Sequence, residues 1–266
     1  MDLGLKEKVV IVTGASKGIG KAIALAFVAE GSRVVLTARG QQELEQAAEE
    51  AQQKGGIAIP VVADVTKVEE VEHLVHEAAN KFGTIHVLIN NTGGIGSGGP
   101  FEALSDEEWA YVFNLNVFSA VKMTRAVLPY MQKQKWGRII NISSESGTQP
   151  DPVMPHYNAS KAALINLTKS LSKAYARDGI LFNTVSPAFV KTPLVDNMLA
   201  QQAKAQGISQ QEAERRFLQQ NRPHIELGRA GTPEEIAPAV VFLASTKASF
   251  IIGVNLRVDG GSVASI

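Results

Sequence analysis

Tyr157 and Lys161 stand four residues apart in the stretch Tyr157-Asn158-Ala159-Ser160-Lys161. On a helix that spacing puts the phenol and the ammonium on one face. A free phenol titrates near about 10, too high to exchange protons readily at neutrality. A fixed cation beside it favours the phenolate and lowers that value, which makes a tyrosine usable as acid and base. An isolated Tyr-x-x-x-Lys is more often an ordinary surface pair. Here it follows a strand-like run ending in Asn141-Ile142-Ser143-Ser144, and a serine hydroxyl there can hold a substrate carbonyl beside the phenol. His156, next to the tyrosine, reads as a pocket-rim or structural residue, because Tyr157 already fills the role of acid and base.

A second constellation sits near the N-terminus. Thr13-Gly14-Ala15-Ser16-Lys17-Gly18-Ile19-Gly20 joins a strand-like run to a helical one. Glycines suit a backbone that turns sharply and lets a pyrophosphate approach a helix N-terminus, although a plain tight turn accounts for three glycines as well. The spacing is Gly-x-x-x-Gly-x-Gly rather than Gly-x-Gly-x-x-Gly. An NAD site places a carboxylate at the end of the second strand for the ribose 2′-hydroxyl. This chain has Ala38 and then Arg39, whose guanidinium fits a 2′-phosphate. Lys17 in the first turn opposes the helix dipole unless an anion lies near. Either cation alone is also an ordinary surface charge; together they favour NADP(H) over NAD(H). Asp64 can accept from an adenine amino group or close a local turn. Asn90-Asn91-Thr92-Gly93 lines the crevice or merely satisfies the turn into Gly94-Ile95-Gly96-Ser97-Gly98-Gly99-Pro100, read as a mobile loop at the substrate mouth.

The elements that must position these groups follow from pattern. Strand-like runs at 9–13, 33–38, 58–63, 86–90, 138–142, 180–185 and 254–258 are nearly continuous in Val, Ile and Leu, as in a parallel sheet covered on both faces. Between the first two, Ile19, Ile23, Ala26 and Phe27 form an apolar helical face. Gly31, Gly55, Gly83 and Gly179 stand where helices should stop. Thr66 with Glu69, Ser105 with Glu108, Ser209 with Glu212 and Thr232 with Glu235 have capping-box spacing, and Pro233 suits a first turn. The βαβα order predicts an α/β fold, a doubly wound seven-stranded parallel sheet with helices on both faces. Pro60 cannot donate to a ladder, so the third strand belongs at the sheet edge, where a Rossmann strand order puts it.

The whole chain, residues 1–266, reads as one nucleotide-binding domain, with no repeat or linker to divide it. Residues 191–229 are polar, Gln-rich and helical in pattern, either a solvated excursion or a substrate lid. With no cysteine, thiol catalysis, disulfides and cysteine-bound zinc are excluded, and no metal site is expected. Lys plus Arg (26) balances Asp plus Glu (26), which argues against nucleic acid. No apolar run approaches the roughly 18 residues of a membrane span, and no secretory signal is evident. A cytoplasmic protein is expected.

From Lys8 to Gly261 these motifs resemble the short-chain dehydrogenase/reductase family, and much of the chain is similar to 3-oxoacyl-[acyl-carrier-protein] reductases. Thr13–Gly20 resembles the family's cofactor loop, and Asn90–Gly93 its Asn-Asn-Ala-Gly, with Thr92 in place of Ala. Asn116 matches its catalytic asparagine. Ser144, 13 positions before Tyr157, matches its serine in preference to Ser143. Tyr157 and Lys161 complete a catalytic tetrad. The resemblance implies cofactor contacts at Gly14, Ser16, Lys17, Gly18, Ile19, Gly20, Arg39, Asp64, Val65, Asn91, Gly93, Tyr157, Lys161, Pro187, Val190 and Thr192, with Pro187-Ala188 departing from Pro-Gly. It implies hydride transfer between a nicotinamide and a carbonyl carbon. Tyr157 acts as general acid, Lys161 lowers its pKa and holds the nicotinamide ribose, Ser144 orients the carbonyl and Asn116 fixes a water. It also implies a homotetramer.

Substrate choice is expected from Ile95, Ser97, Val153, Met154, His156, Phe189, Leu194 and the 191–229 region, together with Ser144. The favoured function is an NADP(H)-dependent ketoreductase, with NAD(H) as an alternative cofactor, acting on a ketone or 3-oxoacyl compound. For an acyl carrier protein, Lys133, Lys135, Arg138 and Arg177 are candidate docking cations. Two rivals are a dehydrogenase oxidising a sugar or other secondary alcohol, and a non-catalytic nucleotide sensor on the same fold. The sensor has no need of Asn116, Ser144, Tyr157 and Lys161 together.

Overall fold

A β-branched run with no polar interruption can be a strand only if both its faces are covered, and the computed structural model, which describes residues 1–264, has that arrangement. Strands β1 (Val9–Thr13), β2 (Arg33–Ala38), β3 (Ile57–Val62), β4 (Val87–Asn90), β5 (Gly137–Ile142), β6 (Ile180–Pro187) and β7 (Asn255–Val258) form one sheet in the order β3-β2-β1-β4-β5-β6-β7. Every pairing is parallel. Strands β1, β4, β5 and β6 are buried along their whole length. Pro60 lies on the edge strand, opposite Leu36, where its missing N–H leaves no ladder bond unmade.

Among the described residues the helices are α1 (Gly18–Ala29), α2 (Gln41–Gln53), α3 (Val68–Phe82), α4 (Asp106–Phe113), α5 (Ser119–Lys133), α6 (Pro155–Tyr175), α7 (Pro193–Gln206), α8 (Gln210–Asn221) and α9 (Pro233–Ala244). One apolar cluster packs α1, α2 and α9 on one face of the sheet through residues such as Ile23, Phe27, Leu44 and Val240. The other packs α3 and α5 on the opposite face through Leu74, Met123 and Val127. None of the helices is long and apolar enough to cross a membrane.

Local signals are mostly realised. Ser105 and Glu108 make both bonds of a capping box, and Ser209 Oγ accepts from Glu212 N at 3.1 Å. Glu235 accepts from Thr232 N at 2.9 Å. Thr66 does not cap α3: its hydroxyl donates to Asp64 Oδ1 at 2.7 Å, and the cap position falls to Lys67. The Asp64 turn fixes Thr66 one residue before the cap position, out of register with the first free amides of α3. The buried face of α1 is also rotated from the expected one. Gly20, Ile23, Ala24, Phe27 and Val28 are buried, whereas Ile19 and Ala26 sit at its margin. The contact with α9 sets that rotation.

Chain crossover from the β3 edge to β4 leaves β1 and β4 adjacent at the point where the winding reverses. Their carboxyl ends open a crevice, the usual ligand position in such sheets.

Candidate active site

Helix α6 starts at Pro155 and carries Tyr157 in its first turn and Lys161 one turn later. Lys161 Nζ lies 5.6 Å from the centre of the Tyr157 ring and donates to Ile142 O, at the end of β5, at 3.0 Å. The two serines after Ile142 divide their work. Ser143 donates to Lys161 O at 2.9 Å, while the Ser144 hydroxyl accepts from Ser146 N at 3.2 Å and lies beside the Tyr157 phenol. Asn116 comes from a π-helical turn, Asn114–Phe118, between α4 and α5; such bulges often re-aim a side chain at a functional site. Asn116 is buried, donates to Ser160 Oγ at 2.9 Å and to Gly94 O at 3.0 Å, and accepts from Gly94 N at 2.8 Å. Ser160 in turn donates to Tyr157 O at 2.7 Å. A Cβ on Gly93 would lie 2.7 Å from Asn116 Oδ1 and 3.1 Å from Lys161 Nζ, so only glycine lets these groups converge. Asn116, Ser144, Tyr157 and Lys161 are therefore brought together.

The electrostatics differ from the expectation that Lys161 lowers the phenol. Burial pushes the Tyr157 phenol above its usual value, against the lowering effect of the nearby Ser144 hydroxyl. Burial also lowers the Lys161 ammonium from 10.5 to about 8. Both groups share a water-poor space, and the ammonium is aimed at the Ile142 carbonyl, so desolvation outweighs their mutual influence. Glu145, next to Ser144, is raised by burial despite the nearby Ser262 hydroxyl and Arg222 guanidinium.

At the crevice, Thr13 organises the glycine turn: its hydroxyl accepts from Asn91 N at 2.9 Å and Thr92 N at 3.0 Å. Asn91 Nδ2 donates to Thr13 O and Gly14 O at 2.9 and 3.1 Å, so that amide braces the loop rather than facing the crevice freely. A Cβ on Gly20 would stand 2.2 Å from Gly14 O, which makes the turn specific to glycine. Gly14, Ser16, Lys17, Arg39, Asp64, Val65, Asn91 and Gly93 are among the residues around a cleft of about 350 Å³. Arg39 is exposed at its mouth, and none of the described residues gives it a hydrogen bond or ion pair. Lys17 differs: its ammonium pairs with Glu43 of α2 at 3.2 Å, which supplies the anion near the helix start. Asp64 is pressed upward by burial, but the bonds from Thr66 and the charges of Arg39 and Lys67 leave its carboxyl below the ordinary value. Its Oδ1 serves the local turn. Thr192 caps α7 and lies against the glycine turn, 3.2 Å from where a Gly18 Cβ would stand. Val190, buried just after β6, bridges to Gly231, and Pro187 ends that strand.

The expected substrate residues separate. Ile95, Val153 and Leu194 are exposed. Ser97 spends its hydroxyl on Glu108, and Gly99 N donates to Val153 O at 3.0 Å, so the 94–99 loop carries two anchors. Met154 is 5 % exposed and His156 0 %, so neither can line an open pocket. His156 is covered by Trp109, with ring centres 5.9 Å apart, because α4 folds over the start of α6. Phe189 stacks on Phe217 of α8 at 4.8 Å. The four cations proposed as a docking patch do not form one at this site. Arg138 is buried, stacked on Trp136 and donating to Gly137 O. Lys133, Lys135 and Arg177 precede β5 and β6, at the end of the sheet opposite Ser144. No group of three His, Cys, Asp or Glu among the described residues is placed to hold a metal.

Residues 8–203 match the family model described as short chain dehydrogenase. The chain belongs to that family. This short-chain dehydrogenase is 36 % identical over 259 residues to the 3-oxoacyl-[acyl-carrier-protein] reductase of Thermotoga maritima, covering 97 % of this chain and 99 % of that one. It is similar in structure to L-sorbose reductase from Gluconobacter frateurii complexed with NADPH and L-sorbose, with a TM-score of 0.94, 33 % identity and full coverage of both chains. Actinorhodin polyketide ketoreductase with NADPH gives a TM-score of 0.88 at 34 % identity, covering 96 % of this chain and 97 % of that one.

Several groups in this short-chain dehydrogenase escaped the sequence reading. Ser160 was within reach of it, since a residue three positions after Tyr157 shares its helical face. Ile142 contributes only a carbonyl oxygen, which no side-chain pattern reveals. Arg222, whose Nη1 reaches Asp151 Oδ2 at 2.6 Å and whose Nε lies 3.8 Å from Glu145 Oε1, is 71 residues from its closer partner and carried no local signal.

Proposed function

We propose that the protein is an NADP(H)-dependent reductase that converts a carbonyl to a secondary alcohol. The observation that carries the reading is the placement of Tyr157, one helical turn before the buried Lys161 ammonium, beside the Ser144 hydroxyl at the end of β5. The cofactor half is supported by fit: a glycine turn that admits no Cβ at Gly20, and an exposed Arg39 guanidinium, unpaired among the described residues, where an NAD site needs a carboxylate. The NADPH complexes of the two similar solved structures agree with that preference.

Bound NADPH supplies the hydride to the carbonyl carbon. Ser144 Oγ and Tyr157 Oη hold the carbonyl oxygen between them, and the Tyr157 proton moves to that oxygen as negative charge develops. The raised phenol value suits proton donation, since a protonated donor is what reduction requires. The Lys161 ammonium, about one turn away, stabilises the phenolate left behind. Asn116 positions the backbone of Gly94 and the hydroxyl of Ser160, and through them the start of α6. Arg39, Ser16 and the N-terminus of α1 take the phosphates. Lys17 is held by Glu43 only in an exposed ion pair, worth at most about 1 kcal/mol, so little opposes its turning to an anion.

Residues 191–229, folded as α7 and α8, act as the lid in this reading, docked by Phe189 on Phe217 and by Arg222 on Asp151. The protein acts as one domain and as a homotetramer. Titration with NADPH and NADH, followed by NADPH consumption on a panel of carbonyls, tests the proposal. Consumption with at least one ketone and tighter binding of NADPH support it; failure to consume NADPH with any carbonyl overturns it.

A further inference from the structure

A single loop carries the chain from the end of β5 to the start of α6, with Ser144 near one end of it and Tyr157 near the other. Its first part, Glu145–Gly147, is a 3-10 turn, in which Ser146 N donates to Ser144 Oγ at 3.2 Å and Gln149 N donates back to Glu145 O at 2.8 Å. Its second part is organised by Asp151. There Oδ1 accepts from Val153 N at 3.0 Å, and the backbone oxygen accepts at 2.5 Å from Asn158 Nδ2, the neighbour of Tyr157 in α6. The other carboxylate oxygen, Oδ2, accepts from Arg222 Nη1 at 2.6 Å. The same guanidinium places Nε 3.8 Å from Glu145 Oε1. One cation at the end of α8 thus meets both halves of the loop, the turn that carries Ser144 and the residue that holds the start of α6.

Helix α8 has other anchors. Phe217 stacks on Phe189 at 4.8 Å, Glu214 pairs with Lys191 at 3.0 Å, and just beyond the helix Leu227 N donates to Gly260 O at 3.2 Å. A partly buried ion pair adds little net stability, because desolvation of the charges offsets their attraction. What a guanidinium fork supplies is direction, since it meets carboxylates only along fixed lines.

We propose that Arg222 is a positioning residue of the reaction: it ties the lid to the loop between Ser144 and Tyr157 and so fixes how their hydroxyls stand relative to each other. The inference rests on the carbonyl-reductase reading above. Arg222 acts through Asp151 and Glu145, not on the carbonyl itself. Both hydroxyls must reach one oxygen together, and a displacement of about 1 Å in such a geometry can cost about 100-fold in rate. The glycine turn and Arg39 lie on other elements, so cofactor affinity does not depend on this tie.

The test is steady-state NADPH consumption by the wild type, Arg222→Met, Asp151→Asn and the double variant. The substrate is whichever of 2-butanone, ethyl acetoacetate and fructose the wild type reduces fastest. Rates are expressed per NADPH-binding site titrated by fluorescence, which discounts any unfolded fraction. Arg222→Met is expected to lower kcat by about 10- to 100-fold, with KM and NADPH affinity little changed. Asp151→Asn must keep its oxygen on Val153 N and so turns its amide nitrogen on Arg222, which breaks the same tie. The double variant is therefore expected to lose no more than the worse single one. If Arg222→Met binds no NADPH, Arg222→Lys takes its place, since it keeps the charge but not the fork, and a fall in kcat is again expected. An unchanged kcat per site, or a rise in KM alone, overturns the positioning role and leaves the reductase reading standing. Losses that multiply in the double variant also overturn it. No consumption by the wild type with any of the three carbonyls overturns both readings together.

Discussion

Ser143 and Ser144 are neighbours, yet their hydroxyls face different elements: Ser143 donates to Lys161 O at 2.9 Å, and Ser144 lies beside the Tyr157 phenol. One ties strand to helix and the other faces the reacting position. Ser144→Ala is therefore expected to lower kcat by about 10- to 100-fold, the loss of one charge-stabilising bond. Ser143→Ala instead costs about 1 kcal/mol of stability. Urea melts beside steady-state rates separate the two, and equal rate losses in both variants would contradict the division.

Tyr157→Phe removes the proton donor and keeps the ring. Turnover is expected to fall roughly 10²- to 10⁴-fold, with NADPH still bound. Single-turnover rates and a fluorescence titration of cofactor check both halves. A Phe variant that retains near-full turnover contradicts the assignment.

Lys161 carries a pH signature. Burial lowers its ammonium from 10.5 to about 8, so the charge is lost as pH rises through about 8, and the reductive kcat is expected to decline there. An unfolded lysine still holds its proton in the window from about 8 to 10.5, so this group's contribution to stability rises with pH across that window. At pH 7 the buried charge is a burden. Lys161→Met is expected to raise stability by about 1–2 kcal/mol while abolishing activity, even though it leaves Ile142 O without its donor.

Arg39→Ala is expected to narrow the ratio of NADH to NADPH dissociation constants by about 10- to 100-fold, the value of a charge-assisted phosphate contact. Isothermal titration with the two cofactors measures it. An unchanged ratio would leave Arg39 an ordinary surface cation.

His86, at the N-terminal side of β4, accepts from Val9 N at 3.0 Å through Nδ1, and burial with the nearby Lys8 lowers it from 6.5 to about 4. A depressed folded value means the stability is present above pH 6.5 and is lost as pH falls towards about 4, because the unfolded chain takes the proton first. With allowance for its partial exposure the loss is about 1–2 kcal/mol. His86→Gln should flatten that part of the stability curve, as followed by urea melts at stepped pH.

Local pattern decided much of this protein. Unbroken Val and Ile runs specified strands covered on both faces, Pro60 specified an edge, and glycines at 14, 18 and 20 specified a turn open to phosphate, because each rests on backbone geometry within a few residues. The spacing of Tyr157 and Lys161 likewise needed only one helical turn. Tertiary structure decided what those groups experience. Desolvation is the largest influence on the phenol; a fold of α4 over α6 covers His156; Glu43 meets Lys17; and Arg138 stacks on Trp136. Burial and long-range pairing depend on elements tens of residues apart closing around a point, as Arg222 does on Asp151, and no spacing along the chain encodes that distance.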